Sequence, residues 1–277
     1  AYLTSQGIRL FGPYGLGGRS YGGIDGRFNF GPLSDPIWGS WHEAYGYVDS
    51  SVQYVAFDEG GFPNGFFLRR KMPQSGNPAH NMWLTCIGVQ PDNPNIVFTT
   101  GVDYEFGFGG GKDIFGWRST DGGYTWQQPI LIIQGTATIG AHDAPHFRFG
   151  TDGHIFAYFQ RDTAVGNDTL LWPYYIESTD GGITWIPSNG KLIQWSSFPP
   201  YPQFSLSWYN YDCEVINNEP YVVISSCLPY FHTDQVWFLK GSGPIGNRTW
   251  TATRLMGTNN PVTDSFAREV SIASGKD

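Results

Sequence analysis

The segment "GWRSTDGGYTW" (116–126) is written again, almost letter for letter, in "IESTDGGITW" (176–185). A catalytic motif is needed once, whereas a turn repeated at a fixed spacing marks a repeated structural unit. From Ser119 to Ser178 that spacing is 59 residues. The spelling has a local explanation. Asp121 and Asp180 are placed to accept hydrogen bonds from backbone N–H groups two residues on, as in an Asx turn. Gly122–Gly123 and Gly181–Gly182 allow positive φ where a side chain would clash. Ser119 and Ser178 can tie the start of each turn through their hydroxyls. Trp126 and Trp185 return on the next strand, each with about 150–250 Å² of surface to bury.

Similar text surrounds each turn. "WLTCIGVQPDNPNIVFTTGVDY" and then "DIFGWRSTDGGYTW" match "DAPHFRFGTDGHIFAYFQRD" and then "LLWPYYIESTDGGITW" in kind. Each reads as an apolar run, a turn, a second run, a loop and a third strand ahead of the tight turn. "YDCEVINNEPYVVISSCLPYFHTDQVWFLKGSGPIGNRTWTATRL" (211–255) follows the same template, with "GPIGNRTW" in place of the repeated turn. The pattern predicts an all-β chain of four-stranded antiparallel units with repeats near 47–80, 82–135, 136–195 and 204–256. A partial unit follows at 262–277, and 1–46 is a Gly-rich closing segment. Units of this size stacked radially form a β-propeller, here a single domain over 1–277 of about five blades, with six or part of a larger ring as alternatives. A β-sandwich does not require near-identical turns at a fixed period.

Composition agrees with many short strands. The chain holds 37 Gly and 19 Pro, with 17% aromatic and 14% charged residues. No window shows a sustained helical apolar period, and no apolar run reaches eighteen residues. The net charge of −8 lacks the basic footprint that nucleic acid demands. Cys86, Cys213 and Cys227 give no disulfide framework. Pairing Ile216 with Tyr221 across "INNEP" sets Cys213 opposite Ile224, which leaves buried free thiols as the expected state. Asn167 and Asn247 head Asn-x-Thr sequons, candidate glycosylation sites in loop-like segments. The opening "AYLTSQG" carries no signal peptide and reads as the start of a mature or excised segment. The expected setting is extracellular.

"STDGGYTW" and "STDGGITW" resemble the Asp-box, or BNR, repeat of the form Ser-x-Asp-x-Gly-x-Thr-Trp. It occurs in sialidases, in other glycan-active propellers and in non-enzymatic ones such as sortilin-type receptors. "VQPDNPNIVFTTG" resembles the "DPxNPxxVYxG" strand pair of xyloglucanase-like propellers. "HDAPHFRFGTDGHIFAYF" resembles the corresponding pair of sialidase and polysaccharide-lyase propellers. The resemblance covers about residues 47–277. It implies that Ser119, Asp121, Gly123 and Trp126, with Ser178, Asp180, Gly182 and Trp185, maintain the blades at their periphery. Chemistry then belongs near the hub, on first strands and the loops entering them.

Several repeats begin their first strand with an acid: Asp143, Asp212, Glu269 and, upstream, Asp49. Two carboxylates at a defined separation are what glycosidic cleavage requires. An acid at a strand start also caps backbone amides. The candidate catalytic residues are Asp143, Asp212, His142 and Tyr211, a His with a Tyr suiting proton abstraction in a uronic-acid lyase. Arg148, Glu269, His42 and His80 are candidate binding residues, and His146 reads as packed or exposed on an alternating strand. Sialidase activity would need three arginines on the substrate carboxylate. Arg118, Arg148, Arg254 and Arg268 are present, but "IRLFGP" (8–13) is only an echo of the family's Arg-Ile-Pro element. No cofactor is expected. Asp103, Glu105 and Asp113 are the only candidate calcium ligands, without a recognised loop spacing. The expected partner is a glycan or polysaccharide, acted on by a hydrolase or lyase or held by a lectin-like binder. The other reading is a non-catalytic structural or interaction subunit, because a unit ending after one strand presents an edge that another segment or chain can pair.

Overall fold

The computed structural model describes residues 2–4, 7–9, 24–25, 38–43, 52–58, 67–71, 73, 81–93, 95–104, 113–123, 125–135, 139–141, 145–165, 168–196, 205–227, 235–256 and 272. All regular elements among them are strands. β1 (Tyr2–Thr4) and β2 (Gly7–Arg9) form a short antiparallel pair. β3 (Ile24–Asp25), β4 (Trp38–Glu43), β5 (Val52–Asp58) and β6 (Phe67–Lys71) form the first four-stranded sheet, in chain order. The second sheet is β7 (Asn81–Val89), β8 (Val97–Tyr104), β9 (Ile114–Ser119) and β10 (Ile130–Ile133). The third comprises β11 (Ile139–Ala141), β12 (His146–Phe149), β13 (Ile155–Val165), β14 (Asp168–Ser178) and β15 (Ile186–Leu192). The fourth is β16 (Ser205–Ile216), β17 (Glu219–Cys227), β18 (Gln235–Ser242) and β19 (Thr249–Met256). The chain is therefore all-β, built from antiparallel four-stranded meanders.

Two readings from sequence are corrected. The first sheet starts at Ile24, upstream of residue 47, so part of the segment assigned to closure supplies β3 and β4. Its Gly-rich text hid strands this short. The hairpin after Cys213 is also tighter than "INNEP" suggests. Asn217 and Asn218 both take positive φ, 53° and 59°, which makes a two-residue turn and pairs Ile216 with Glu219. Cys213 therefore faces Val222, not Ile224, while Cys227 faces Ser205. Cys213 is a buried free thiol.

Strand periodicity builds the core between sheets. In "HFRF", Phe147 and Phe149 are buried while His146 and Arg148 are only partly so, the period of two that places alternate side chains on opposite faces. Phe147 and Phe149 join Phe98, Ile114, Ile132 and Phe159 in a cluster between the second and third sheets. Phe156, Tyr175, Cys213, Val222, Leu239 and Trp250 form the next, between the third and fourth. The same wedge recurs at both junctions. Trp185 lies on Phe98 with ring centroids 5.6 Å apart, and Trp250 lies on Phe156 at 6.0 Å. Phe98 and Phe156 hold equivalent positions, each paired with the residue just before a repeated serine, Arg118 or Glu177.

The first strands of successive sheets lie side by side, β7 against β12 and β12 against β16. Each is interrupted. Ala141 pairs with Arg161 and His146 with Tyr158, so residues 142–145 bulge opposite two residues of β13. Leu206 pairs with Ser226 and Tyr211 with Ile224, so residues 207–210 bulge opposite one. β7 carries a single extra residue between Leu84 and Cys86. Such insertions bend a strand and re-aim the side chains beside it.

Candidate functional site

The repeated turns are closed by their own atoms. Ser119 Oγ accepts the N–H of Gly123 at 2.7 Å and donates to Asp121 Oδ1, also at 2.7 Å. Thr125 donates its amide and its hydroxyl to the two oxygens of Asp121, at 2.9 and 2.6 Å. Trp126 Nε1 donates to Gly123 O. Ser178, Asp180, Gly182, Thr184 and Trp185 repeat every one of these bonds. The expected Asx pattern is corrected in one respect. The amide two residues beyond each aspartate goes to the serine hydroxyl, and the aspartate instead holds the amide four residues on. Each turn is also pinned to its own sheet, Gly122 N–H on Asn95 O and Gly181 N–H on Gly153 O. With Asp and Thr polar groups consumed internally, these turns have structural work and little left for a ligand.

The residue before each serine reaches to the next sheet. Arg118 Nε donates to Gly181 O at 3.0 Å. Glu177 Oε2 accepts the N–H of Gly246 at 2.6 Å, and its carboxylate takes Nε and Nη2 of Arg248 as well as Nε2 of His154 at 3.0 Å. Arg248 in turn donates to Gly243 O and Asn218 O. Burial pushes the Glu177 carboxyl up, but the His154, Arg248 and Gly246 hydrogen bonds together hold it below the usual carboxylate range. This buried cluster escaped the sequence reading, since Arg248 sat in what looked like a degraded turn.

The cluster with partly exposed chemistry lies on the first strands. Asp212 is on β16, well inside the strand and not at its start. Its Oδ1 accepts Arg148 Nη2 at 3.1 Å and the N–H of Cys213 at 2.8 Å, and stands 3.6 Å from His146 Nδ1. Its Oδ2 accepts the N–H of Ile272 at 3.3 Å. The Asp212 side chain is 13% exposed, against 36% for His146 and 33% for Arg148. Burial raises the Asp212 carboxyl, yet the His146 contact, the Arg148 charge and the Cys213 amide hold it below its ordinary value. The backbone is tied across the same seam: Thr100 Oγ1 donates to Pro145 O, and Cys213 Sγ to His146 O.

Of the sequence candidates, the structure brings Arg148 and Asp212 together and adds His146. Tyr211 adjoins Asp212 on β16, its backbone paired with Ile224. His142 and Asp143 fall in the bulge before β12 and lie outside the described residues, as do Asp49, His80, Asn167, Glu269, Arg268 and Glu105. His42 and Asp103 sit on β4 and β8, with side chains outside the described set. Arg254 is exposed on β19, away from this cluster in the strand order. Asn247 is exposed in the turn before β19 and accepts Lys191 Nζ. Asp113 Oδ1 caps the N–H of Gly135. Among the described residues no group of three or more His, Cys, Asp or Glu is arranged to hold a metal, and no helix is long and apolar enough to cross a membrane.

No protein-family model and no curated protein sequence matches the chain. Among solved structures, it is similar to an α-L-arabinanase of Penicillium chrysogenum complexed with arabinobiose, at 11% identity and a TM-score of 0.48, covering 86% of this chain and 76% of that one. An α-L-arabinanase of Cellvibrio cellulosa gives 11% identity and 0.47, covering 83% and 76%. The NanB sialidase of Streptococcus pneumoniae gives 15% and 0.42, covering 86% of this chain and 34% of the sialidase. At these TM-scores the likeness does not extend to residue roles.

Proposed function

We propose that this chain is an Asp-box β-propeller of about five blades, directed at glycans in an extracellular setting, and that it meets them at the first-strand cluster. The observation that carries the reading is the meeting of His146 and Arg148 with Asp212, from neighbouring sheets, beside two strand interruptions. The repeated wedges of Trp185 on Phe98 and Trp250 on Phe156 support the radial stacking. The self-satisfied outer turns leave the opposite edge of the sheets for the ligand. In this proposal Asp212 is the fixed ionised carboxylate. Asp143, in the bulge before β12, supplies the second carboxyl needed for glycosidic cleavage. His142 and Tyr211 border the same place, and Glu269, His42 and His80 are proposed sugar contacts. Asn167 and Asn247 are proposed glycan acceptors.

The test is a glycan array and a polysaccharide-degradation panel with wild-type protein, Asp143→Asn and Asp212→Asn, each checked for a wild-type circular dichroism spectrum. Binding or turnover that either substitution abolishes supports the proposal. A blank across the panel for wild-type protein removes it and favours an interaction subunit.

A further inference from the structure

Asp212 and His146 divide the labour of this cluster unequally. Both Asp212 oxygens are engaged, Oδ1 by the Arg148 guanidinium and the Cys213 amide, Oδ2 by the Ile272 amide. The carboxylate is also the least exposed of the three side chains. A carboxylate so engaged has no lone pair directed at a ligand without breaking a charge-assisted bond. His146 is different. It follows immediately on the bulge, its ring is more than a third open, and its Nδ1 edge faces Asp212 Oδ1 at 3.6 Å. A proton on Nδ1 is favoured by that negative charge, which leaves the Nε2 lone pair as the basic end of the neutral ring.

We propose that His146 is the proton-transfer residue of this site and Asp212 the positioning residue that fixes its tautomer. The inference rests on the glycan reading and alters the role given there to Asp212. In hydrolysis, an O–H bond of water breaks and its proton passes to His146 Nε2, while the water oxygen bonds the anomeric carbon. The glycosidic C–O bond breaks and the leaving oxygen takes a proton from a carboxylic acid, the role proposed for Asp143. His146 then releases its proton to solvent, and Asp143 regains one. Arg148, bonded to the same Asp212 oxygen, keeps the carboxylate ionised through the cycle.

Two readouts test this, one independent of turnover. The ¹⁵N spectrum of the His146 ring, assigned with His146→Gln, is expected to show the Nδ1–H tautomer in wild-type protein and to lose that preference in Asp212→Asn. An Nε2–H tautomer in wild-type protein overturns the positioning role. On any polysaccharide the wild-type protein cleaves, His146→Gln is expected to lower kcat by about 10²–10⁴-fold. Asp212→Asn should lower kcat and displace its pH profile. Wild-type kcat in His146→Gln overturns the assignment. Absence of cleavage by wild-type protein instead overturns the glycan-processing reading, a different result from cleavage that survives loss of His146.

Discussion

Arg248 and Glu177, 71 residues apart in sequence, form a buried two-point ion pair across the third and fourth sheets, with Nη2 2.8 Å from Oε1 and Nε 3.2 Å from Oε2. Their side chains are 4% and 0% exposed, so neither charge has water to fall back on. His154 completes the group from the hairpin that precedes β13. Removing one partner of a buried pair strands the other. Arg248→Ala is expected to cost about 3–5 kcal/mol, read by urea unfolding. A loss comparable to that of an exposed pair, such as Lys240→Ala against Glu219, would show that the third and fourth sheets do not depend on this junction.

Acid should attack the same place. Because the folded Glu177 carboxyl lies below its model value of 4.5, its contribution is complete above that value. It is lost as pH falls through the lower folded value, where protonation becomes possible in the native state. Calorimetry is expected to show Tm falling on acidification below about pH 4.5, with a shallower slope in the double variant Glu177→Leu, Arg248→Met. Equal slopes would assign the acid sensitivity to other carboxylates.

The glycines of the repeated turns are not equivalent. Gly182 has φ of 91°, and a Cβ there would lie 2.6 Å from Phe98 Cε2 in the second sheet. Gly122 has φ of 68° with nothing within 4 Å. Gly122→Ala is expected to cost about 1 kcal/mol, the strain of a left-handed conformation. Gly182→Ala adds an overpacking cost of about 1–3 kcal/mol. Chemical denaturation of the two variants decides it, and equal losses would mean that the second turn is not packed on Phe98.

Trp185→Ala should weaken the junction between the second and third sheets by about 3–5 kcal/mol, whereas Thr184→Val, which removes one exposed hydroxyl bond to Asp180, should cost about 1 kcal/mol. Thermal unfolding separates them. A small effect of Trp185→Ala would contradict a ring wedged on Phe98.

What the sequence disclosed was local. Ser119, Asp121, Gly123 and Trp126 bond within eight consecutive residues, so their turn could be read from the letters alone, and its twin at 178–185 confirmed the unit. The strand alternation in "HFRF" was equally plain. Long-range partners were not. Nothing near Glu177 announces Arg248 or His154, and a lone His146 on an alternating strand reads the same whether or not an aspartate from the next sheet stands 3.6 Å away. Asp212 looked like a strand opener because the bulge at 207–210 hid the four residues by which β16 shifts register. The Asn217–Asn218 turn was misplaced for a related reason: two consecutive non-glycine residues at positive φ are uncommon, so a longer loop looked natural.

Recognition of glycan at the first strands is tested most directly by hydrogen–deuterium exchange with and without an oligosaccharide from the panel that the wild-type protein binds. Protection is expected along His146–Phe149 and Tyr211–Cys213, and unchanged exchange in the turns at 119–126 and 178–185. Protection confined to those outer turns would contradict it.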